Sequence, residues 1–527
     1  MNISRKTLAL LLALALCLAG GIPAAGAAGD APKTITWWQQ LDGKAVSMKD
    51  WDDSPTWQLI QEKLNVDIQW QMPASTEARE QFSLMIASRN LPDVIYYTWT
   101  NVSGGPAQLI EDKMLLDLTD LLPDMAPNYN AFINAPENAT IRRQVTLNDG
   151  THYIFAKVFP DARAMSYNGL MIRADWLEKL GLSMPATLQE WHDVLAAFRD
   201  QDPNGNSQQD ELPFVSTTGS LFDFFASAYK VRSGLYPDPD TGKIVCGYTQ
   251  EGYKEFLKTM AAWYAEGLLD PEYPATDGAS QQNKLTSNLG GAFYGAIAGG
   301  MGTIMSLMAP VQPEFDLAGA PSVASVYGDG VYSPNDPLCR AFVGQGAAVS
   351  ADTKELEAVL RVLDFCYGEE GMELLNWGIL GESYEIGEDG QRSFTDEILH
   401  NETLTPAQSV IRYAYPSSDA PTVCDYAARA QINNALPQQA AAAEIWADCK
   451  YDMLLPVLFP VGNDSARLSE ILNEVNTYVR ESVTNFIMGR ADIEAGWPTF
   501  VKTVEGMKIA EAIEIQQRTY DAYLNKE

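Results

Sequence analysis

Histidine is scarce in this chain, which has 527 residues and only three histidines. His152, His192 and His400 lie far apart in the sequence, and no two of them have the spacing of zinc ligands on one helix or loop. A histidine zinc centre or a serine hydrolase triad would need single residues from distant segments. The sequence also lacks the G-x-S-x-G, H-E-x-x-H and P-loop patterns. These absences weigh against a catalytic function.

Basic residues are also few: the chain has 36 Lys and Arg but 69 Asp and Glu, which gives a formal net charge of -33. Removing residues 1–28 deletes Arg5 and Lys6 and no acidic residue, so that -33 becomes -35. Nucleic acid binding requires a basic surface, and anionic lipid attracts one, so this charge argues against both kinds of partner.

Cysteine provides no framework for the fold. After residue 28 there remain Cys246, Cys339, Cys366, Cys424 and Cys449, an odd number without any C-x-x-C pair. A disulfide scaffold is typical of much shorter secreted chains. Scattered buried thiols are therefore expected.

Only one long apolar run is present, and it lies at the N-terminus. Arg5 and Lys6 precede an apolar core over residues 8–18, and small residues at 25–27 or 26–28 form a cleavage site. The run is too short for a permanent membrane anchor. We therefore predict that residues 1–28 are a signal peptide and that the protein is exported. Cys17 offers the alternative of a lipid anchor, although Leu16 stands where a lipoprotein signal has Gly, Ala or Ser.

The first hundred mature residues alternate between strand and helix patterns. Residues 34–38, 66–71 and 93–97 have strand character, and the segments between them, 55–65 and 77–90, have helical periodicity. This order predicts a parallel sheet with right-handed crossovers, hence an α/β fold. Later segments are mainly helical, including a helix after Thr187 with Glu190 completing a capping box, and the C-terminal third.

Ligands bind beyond the carboxyl ends of parallel strands, and Trp38 and Trp99 lie there in this sequence. A flat aromatic face suits the apolar side of a sugar ring. On this basis, and on the turns and Gly-rich stretches beside the others, we predict six ligand-binding aromatics. They are Trp38, Trp99, Tyr167, Tyr294, Trp377 and Tyr415. For each of them singly, packing in the core is the alternative.

A loop rich in oxygen donors follows the capped helix. Asp200, Asp202, Asn204, Gly205 and Glu211 occupy every required position of the twelve-residue EF-hand pattern. Alternating carboxylate and amide oxygens suit Ca²⁺, which accepts six to eight oxygen ligands. A polar turn is the alternative. Because the donors crowd one short loop, a structural ion is favoured over a catalytic one.

Several segments together resemble the extracellular solute-binding proteins of carbohydrate ABC importers, in the lipoprotein-like branch that includes alginate-oligosaccharide binders. They occur in family order over nearly the whole mature chain: EQFSLMIASRNLPDVI, LLDLTDLL, LMIRADWLEKLGLSMPATLQEW, DPNGNSQQDELP, AEGLLDPEY, NWGILGESYE, and NTYVRESVTNFIMG followed by WPTFV. The resemblance implies a periplasmic-binding-protein-like (type II) fold, with two α/β lobes, hinge crossings and a helical C-terminal region. It also implies a second calcium register, formed by Asp202, Asn204, Asn206, the carbonyl of Gln208, Asp210 and Glu211, which we favour.

The lobe boundaries follow from this resemblance. We expect a first lobe from residues 30–155 and about 290–345, and a second from residues 156–289 and about 346–527, with the Gly-rich run 288–302 as a crossing. An acidic sugar would need a suitably placed Arg or Lys, and the sequence does not locate one. Arg173 is expected to pair with Asp175 as a scaffold residue.

The resulting hypothesis is a monomeric, non-enzymatic receptor with structural Ca²⁺. It captures a carbohydrate, an oligosaccharide, by hinge closure and delivers it to a membrane permease on the outer face of the cell membrane or in the periplasm. The alternative is a secreted glycoside hydrolase, which would need two carboxylates across the scissile bond. No motif among the 69 acidic residues identifies such a pair.

Overall fold

The computed structural model describes residues 31–74, 77–102, 104–217, 222–333, 341–416 and 418–526. The predicted signal peptide and Cys17 lie outside these residues. Within them, no helix combines the length and the apolar character that a membrane crossing requires.

The first sheet consists of β1 (Lys33–Trp38), β2 (Val66–Gln71), β3 (Val94–Thr98), β4 (Phe155–Val158) and β11 (Phe342–Val349). Their order across the sheet is β2-β1-β3-β11-β4. Strand β1 runs parallel to β2 and β3, whereas β11 is antiparallel to β3 and β4. The alternation predicted for residues 34–97 is confirmed, with helices α1 (Pro55–Leu64) and α2 (Ala78–Ser88) between the strands.

The second sheet has the order β10-β5-β9-β6. It consists of β5 (Asn168–Arg173), β6 (Leu212–Val215), β9 (Gly290–Ala296) and β10 (Leu317–Gly319). Two hairpins complete the strands: β7 (Leu235–Pro237) with β8 (Ile244–Cys246), and β12 (Tyr384–Ile386) with β13 (Arg392–Phe394).

Helices cover both sheets. In the sequence, the α-helices between β3 and β5 are α3 (Gly105–Glu111), α4 (Leu122–Met125), α5 (Pro127–Asn134), α6 (Ala139–Val145) and α7 (Ala162–Met165). The second lobe contributes α8 (Ala174–Leu180), α9 (Leu188–Asp200), α10 (Asp223–Ala226), α11 (Glu251–Ala265), α12 (Gly278–Thr286) and α13 (Thr303–Met308). After β11 come α14 (Leu356–Phe365), α15 (Glu369–Trp377), α16 (Asp396–Leu399), α17 (Pro406–Val410), α18 (Tyr426–Asn433), α19 (Pro437–Ala447), α20 (Asp464–Ile487), α21 (Ile493–Gly506) and α22 (Ile509–Leu524).

Each sheet has its own hydrophobic core, so the two-lobe expectation holds. The first core joins the first sheet to α14 and to Tyr415 and Phe459. The second core joins β5 and β6 to α9, α11 and the C-terminal helices α20–α22. The predicted capping box at the start of α9 is confirmed, because the Thr187 side chain accepts from the Glu190 backbone N–H and the Glu190 carboxylate accepts from the Thr187 N–H.

The expected lobe boundaries are wrong in their later segments. Strand β9, assigned to the first lobe as part of a crossing, pairs with β5 and β6 in the second sheet, and β10 also pairs with β5. Strand β11 and helix α14 belong to the first lobe. The glycines explain the error: a Cβ on Gly291 would lie 2.5 Å from Phe198, so this run is Gly-rich because a central strand packs closely there.

The chain crosses between the cores several times. Residues 159–167 connect β4 to β5, and the segment 415–437 leads from the first core through α18 to α19, whose Trp446 packs on the second sheet. Trp446 is 1% exposed, and its indole Nε1 donates to the Ala320 carbonyl at 3.0 Å.

We predict that Gly169→Ala destabilises the fold strongly, because a Cβ on Gly169 would overlap the buried Trp446 indole. Overpacking of this kind costs about 1–3 kcal/mol, so thermal unfolding should begin several degrees lower. The matched control is Gly278→Ala at the start of α12, where no atom lies near the added methyl. That variant should unfold at or slightly above the wild-type temperature, and equal midpoints for both variants would contradict the packing described here.

Candidate functional site

A cavity of about 210 Å³ lies at the carboxyl ends of β1 and β3. The two strands are paired neighbours, so their ends meet at one edge of the first sheet. The cavity is lined by Trp38, Gln39, Gln40, Ala78, Arg79, Tyr96, Tyr97, Thr98, Asn101 and Asp419. The rule that ligands bind beyond the carboxyl ends of parallel strands therefore points to this cavity in the first lobe.

The aromatic wall of this cavity packs against helix α2 through Phe82. Phe82 stacks on Tyr97 with ring centroids 4.1 Å apart and planes 8° apart, and Trp38 meets both rings edge-on or tilted. Trp38 is only 5% exposed, whereas Tyr97 is half-buried. Burial raises the pKa of the Tyr97 phenol. Tyr97 thus offers more accessible ring surface than Trp38, and sequence reasoning missed it because it looked like one more residue of a strand.

The polar groups of the cavity are held in place by neighbours. Trp37 Nε1 donates to the Gln39 side-chain oxygen at 3.0 Å, and Gln39 Nε2 donates to the Asp419 carbonyl at 2.8 Å. Burial raises the pKa of the Asp419 carboxyl, and the charges of Lys157 and Lys44 oppose this rise. Fixed amides and a carboxylate around an aromatic wall are the groups that recognise vicinal hydroxyls.

A second, smaller crevice, about 10 Å³ in volume, lies at the edge of the second sheet. Tyr167 precedes β5 and Ile297 follows β9, which runs antiparallel to β5, so both residues lie at the same edge. The lining is completed by Arg163, Ala164, Ser166, Tyr426, Arg429, Asn433 and Asn434. Tyr167 is 38% exposed, which leaves a ring face open at this edge.

The six predicted aromatics divide into two groups. Trp99, Trp377 and Tyr415 are at most 3% exposed and lie in hydrophobic cores, so for them core packing is correct and the ligand-facing role is wrong. Their polar atoms are occupied inside the protein, for example by the hydrogen bond between the Tyr415 hydroxyl and Ser54 Oγ at 2.7 Å. Trp38, Tyr167 and Tyr294 remain predictions, with Tyr294 stacked on Phe224 at 5.0 Å.

Arg173 has the scaffold role expected of it. It is fully buried, and its Nε and Nη2 atoms donate to the two carboxylate oxygens of Asp175 at 2.8 and 2.6 Å. A bidentate pair of this kind fixes the guanidinium rigidly and leaves it unavailable to a ligand.

The oxygen-rich loop connects α9 to β6. Asp202 adopts a left-handed backbone conformation (φ 49°), and its two carboxylate oxygens accept from the backbone N–H groups of Asn206 and Ser207 at 3.1 Å. The amides of Asn204 and Asn206 both donate to Asp210 at 3.0 Å. These contacts join Asp202, Asn204, Asn206 and Asp210 of the second register in one hydrogen-bond network.

Two side chains distinguish the calcium registers. Asp200 forms a bidentate pair with Arg199 at 2.7 and 2.8 Å, which engages its carboxylate elsewhere. Glu211 is 8% exposed, and both its carboxylate oxygens are buried without a hydrogen-bond partner. Burial, reinforced by the charges of Asp202 and Asp210, raises the pKa of the Glu211 carboxyl. A buried carboxylate without a partner is costly, and a cation would relieve that cost.

The remaining donors of the register are amides and a backbone carbonyl. Among the residues that the structure describes, no group of three or more His, Cys, Asp or Glu side chains is arranged to hold a metal ion. The loop instead combines carboxylates with Asn204 and Asn206, a mixture that suits Ca²⁺ rather than a transition metal. The donor types of the loop therefore suit Ca²⁺, whereas its three carboxylates are not drawn together around a metal position in this structure.

Comparison with known proteins places the chain in a family. Residues 45–373 match the family model described as bacterial extracellular solute-binding protein. The fructooligosaccharide ABC transporter substrate-binding protein FusA of Streptococcus pneumoniae serotype 4 is 25% identical over 509 residues, covering 91% of this chain and 88% of FusA.

Solved structures share the fold. The alginate-binding protein AlgQ2, solved without calcium ion, superposes with a TM-score of 0.69 at 22% identity, covering 93% of this chain and 98% of AlgQ2. An EF-hand mutant of S. pneumoniae FusA in complex with fructo-nystose gives 0.70 at 20% identity, covering 94% and 100%. Since the family model spans more than half of the chain, the protein belongs to the bacterial extracellular solute-binding protein family.

Proposed function

We propose that the protein is the substrate-binding component of an ABC importer and that it captures a carbohydrate, an oligosaccharide, between its two lobes. The observation that carries this proposal is the cavity at the ends of β1 and β3. It combines an aromatic wall (Trp38 and Tyr97) with fixed polar groups, which is the composition that sugar recognition requires. FusA, which the chain matches over most of its length, is by name a fructooligosaccharide binder.

The segment from Asp419 to Asn434 contributes to both cavities, with Asp419 in the larger one and Arg429 in the crevice beside Tyr167. Because this segment also crosses between the cores, both cavities lie beside the crossings. A ligand that contacts both lobes favours the closed arrangement by its extra contacts there. This is the hinge-closure mechanism expected of a receptor that hands its cargo to a membrane permease.

The glycoside hydrolase alternative has less support from these cavities. Hydrolysis needs two carboxylates flanking the scissile bond. Asp419 is the one Asp or Glu among the described residues that line the two cavities. We therefore propose binding without catalysis, by a monomer that acts outside the cytoplasm, either released after residue 28 or attached through Cys17.

We also propose that the loop holds a structural Ca²⁺ through Asp202, Asn204, Asn206, the carbonyl of Gln208, Asp210 and Glu211. The unpartnered Glu211 carboxylate supports this proposal, and so does the Asp200–Arg199 pair, which removes Asp200 from the alternative register. An ion there would fix the end of α9 to the start of β6. It would supply no chemistry to the carbohydrate.

We predict that one or more of kestose, an alginate trisaccharide and trigalacturonate raises the melting temperature of the protein without being consumed, because binding to the folded state alone stabilises it. Asn101→Ala should weaken binding about fivefold to tenfold by loss of one hydrogen bond. The matched control is Asn473→Ala, on an exposed part of α20, which should bind as the wild type does. Release of new reducing ends by the pure protein would replace the receptor function with hydrolysis.

We predict that a calcium chelator lowers the melting temperature of the wild type by several degrees, since an ion at a thousandfold its Kd contributes about 4 kcal/mol. Asp202→Ala and Glu211→Ala should each unfold at a lower temperature and respond little to the chelator. Asp200→Ala is the control: it loses only the exposed pair with Arg199 and should keep the full response. A wild type that ignores the chelator, or an Asp200→Ala variant that has lost the response, would contradict the proposed site.

A further inference from the structure

Arg429 is a basic residue that lines the crevice beside Tyr167. It lies on α18, half-buried, with its guanidinium over the Phe159 ring at 5.0 Å. Within the described residues its side chain has one hydrogen bond, a long one from Nη1 to the Pro416 carbonyl at 3.4 Å. No Asp or Glu of these residues forms an ion pair with Arg429, whereas Arg163 in the same crevice has two acidic partners. A guanidinium has five N–H donors, so most of those of Arg429 have no partner among the described residues.

The crevice around Arg429 lacks acidic side chains in its described lining, although the chain as a whole is strongly acidic. Arg163 is neutralised by Asp161 at 2.6 Å and by Glu444 at 3.0 Å. None of the described lining residues of the crevice is Asp or Glu. Lys157, 1% exposed, lies on Phe159 as well, with its Nζ 5.6 Å from the ring centre and hydrogen-bonded to the Tyr415 carbonyl at 2.9 Å. Two basic residues that form no ion pair within the described part of the chain thus lie against one aromatic ring.

Keeping a guanidinium half-buried and unpaired costs free energy, and burial lowers the pKa of Arg429 accordingly. The chain has a formal charge of -33, yet none of the described acidic side chains forms an ion pair with this group. An anion from a ligand would supply the missing hydrogen-bond acceptors and the missing negative charge. The crevice has a volume of about 10 Å³, roughly the room of one water-sized group, so a sugar ring would have to lie outside it, against its rim.

We propose that the oligosaccharide carries a carboxylate, as a uronic acid or another acidic sugar does, and that Arg429 binds this carboxylate. The inference rests on the proposed carbohydrate-binding function and refines its substrate class. Arg pairs with a carboxylate through two parallel hydrogen bonds, which gives direction as well as strength. Tyr167, 38% exposed at the same crevice, offers a ring face for the sugar that bears the acid.

The experiment measures affinity by calorimetry for trigalacturonate and an alginate trisaccharide, for their carboxyl-reduced neutral counterparts, and for kestose. In the wild type, we expect an acidic trisaccharide to bind at least thirtyfold more tightly than its reduced counterpart. Arg429→Gln should remove most of that preference while changing the affinity for the neutral counterpart less than threefold. Arg429→Lys, which keeps the charge but not the paired hydrogen bonds, should give an intermediate preference.

Arg480→Gln, on an exposed part of α20, is the matched control for a change in net charge and should keep the wild-type preference. Melting temperatures of the variants confirm that each is folded. A reduced sugar or kestose that binds as tightly as the acids overturns the inference and leaves the proposed function intact. An acid preference that persists in Arg429→Gln also overturns the inference, and so does the failure of both acids to bind. If kestose still binds in that last case, the proposed function stands; if none of the sugars binds, the proposed function fails as well.

Discussion

The crossing segments are hydrogen-bonded to one another, and both cavities depend on that connection. Strand β4 leaves the first sheet beside the segment 422–424: the Val158 N–H donates to the Thr422 carbonyl at 3.2 Å, and the Cys424 N–H donates to the Val158 carbonyl at 2.8 Å. Lys157 adds its bond to the Tyr415 carbonyl. Val158 is the last residue of β4, so this bridge attaches the segment 422–424 to the edge of the first sheet. Asp419 and Arg429 lie on either side of that attachment in the sequence.

Three basic residues lie near the point where β4, α7 and α18 meet. Arg163 is paired with Asp161 and Glu444, whereas Lys157 and Arg429 form no ion pair with any of the described acidic residues. Burial lowers the pKa of Lys157 to about 8, so its ammonium is still largely protonated at neutral pH. An acidic exterior repels anions at long range, but screening limits that repulsion to roughly 8 Å at physiological salt. A local cluster of cations can therefore attract an anionic ligand to the crossings.

The regular parts of the fold were predictable because their signals are local. Period-two and helical patterns located β1 to β3 with α1 and α2, and the Thr187–Glu190 pair located the start of α9. The lobe assignment was wrong at the Gly-rich run 288–302, because glycine is as common in a close-packed strand as in a linker and the sequence does not distinguish the two. Strand ends predicted the first cavity correctly, but they could not separate Trp38 from Trp99: both follow a strand, and only tertiary packing buries the second completely.

Arg429 and Tyr97 were not predictable for a related reason. Arg429 lies in an ordinary helix, and its distinguishing feature is that it forms no ion pair with any described acidic residue, which only the folded chain reveals. Tyr97 is one residue of an alternating strand, and its stacking on Phe82 is a contact between a strand and a helix.

The oxygen-rich loop acts on the site at a distance. Glu211 immediately precedes β6, and β6 runs parallel to β9, so the two strands end at the edge where Tyr167 lies. Nothing in the loop itself contributes to either cavity lining. A cation bound to Glu211 would fix the start of β6 against α9, and through the pairing of β6 with β9 it would hold that edge in position. With a bound cation, the loop would keep this wall of the second lobe rigid without contacting the ligand.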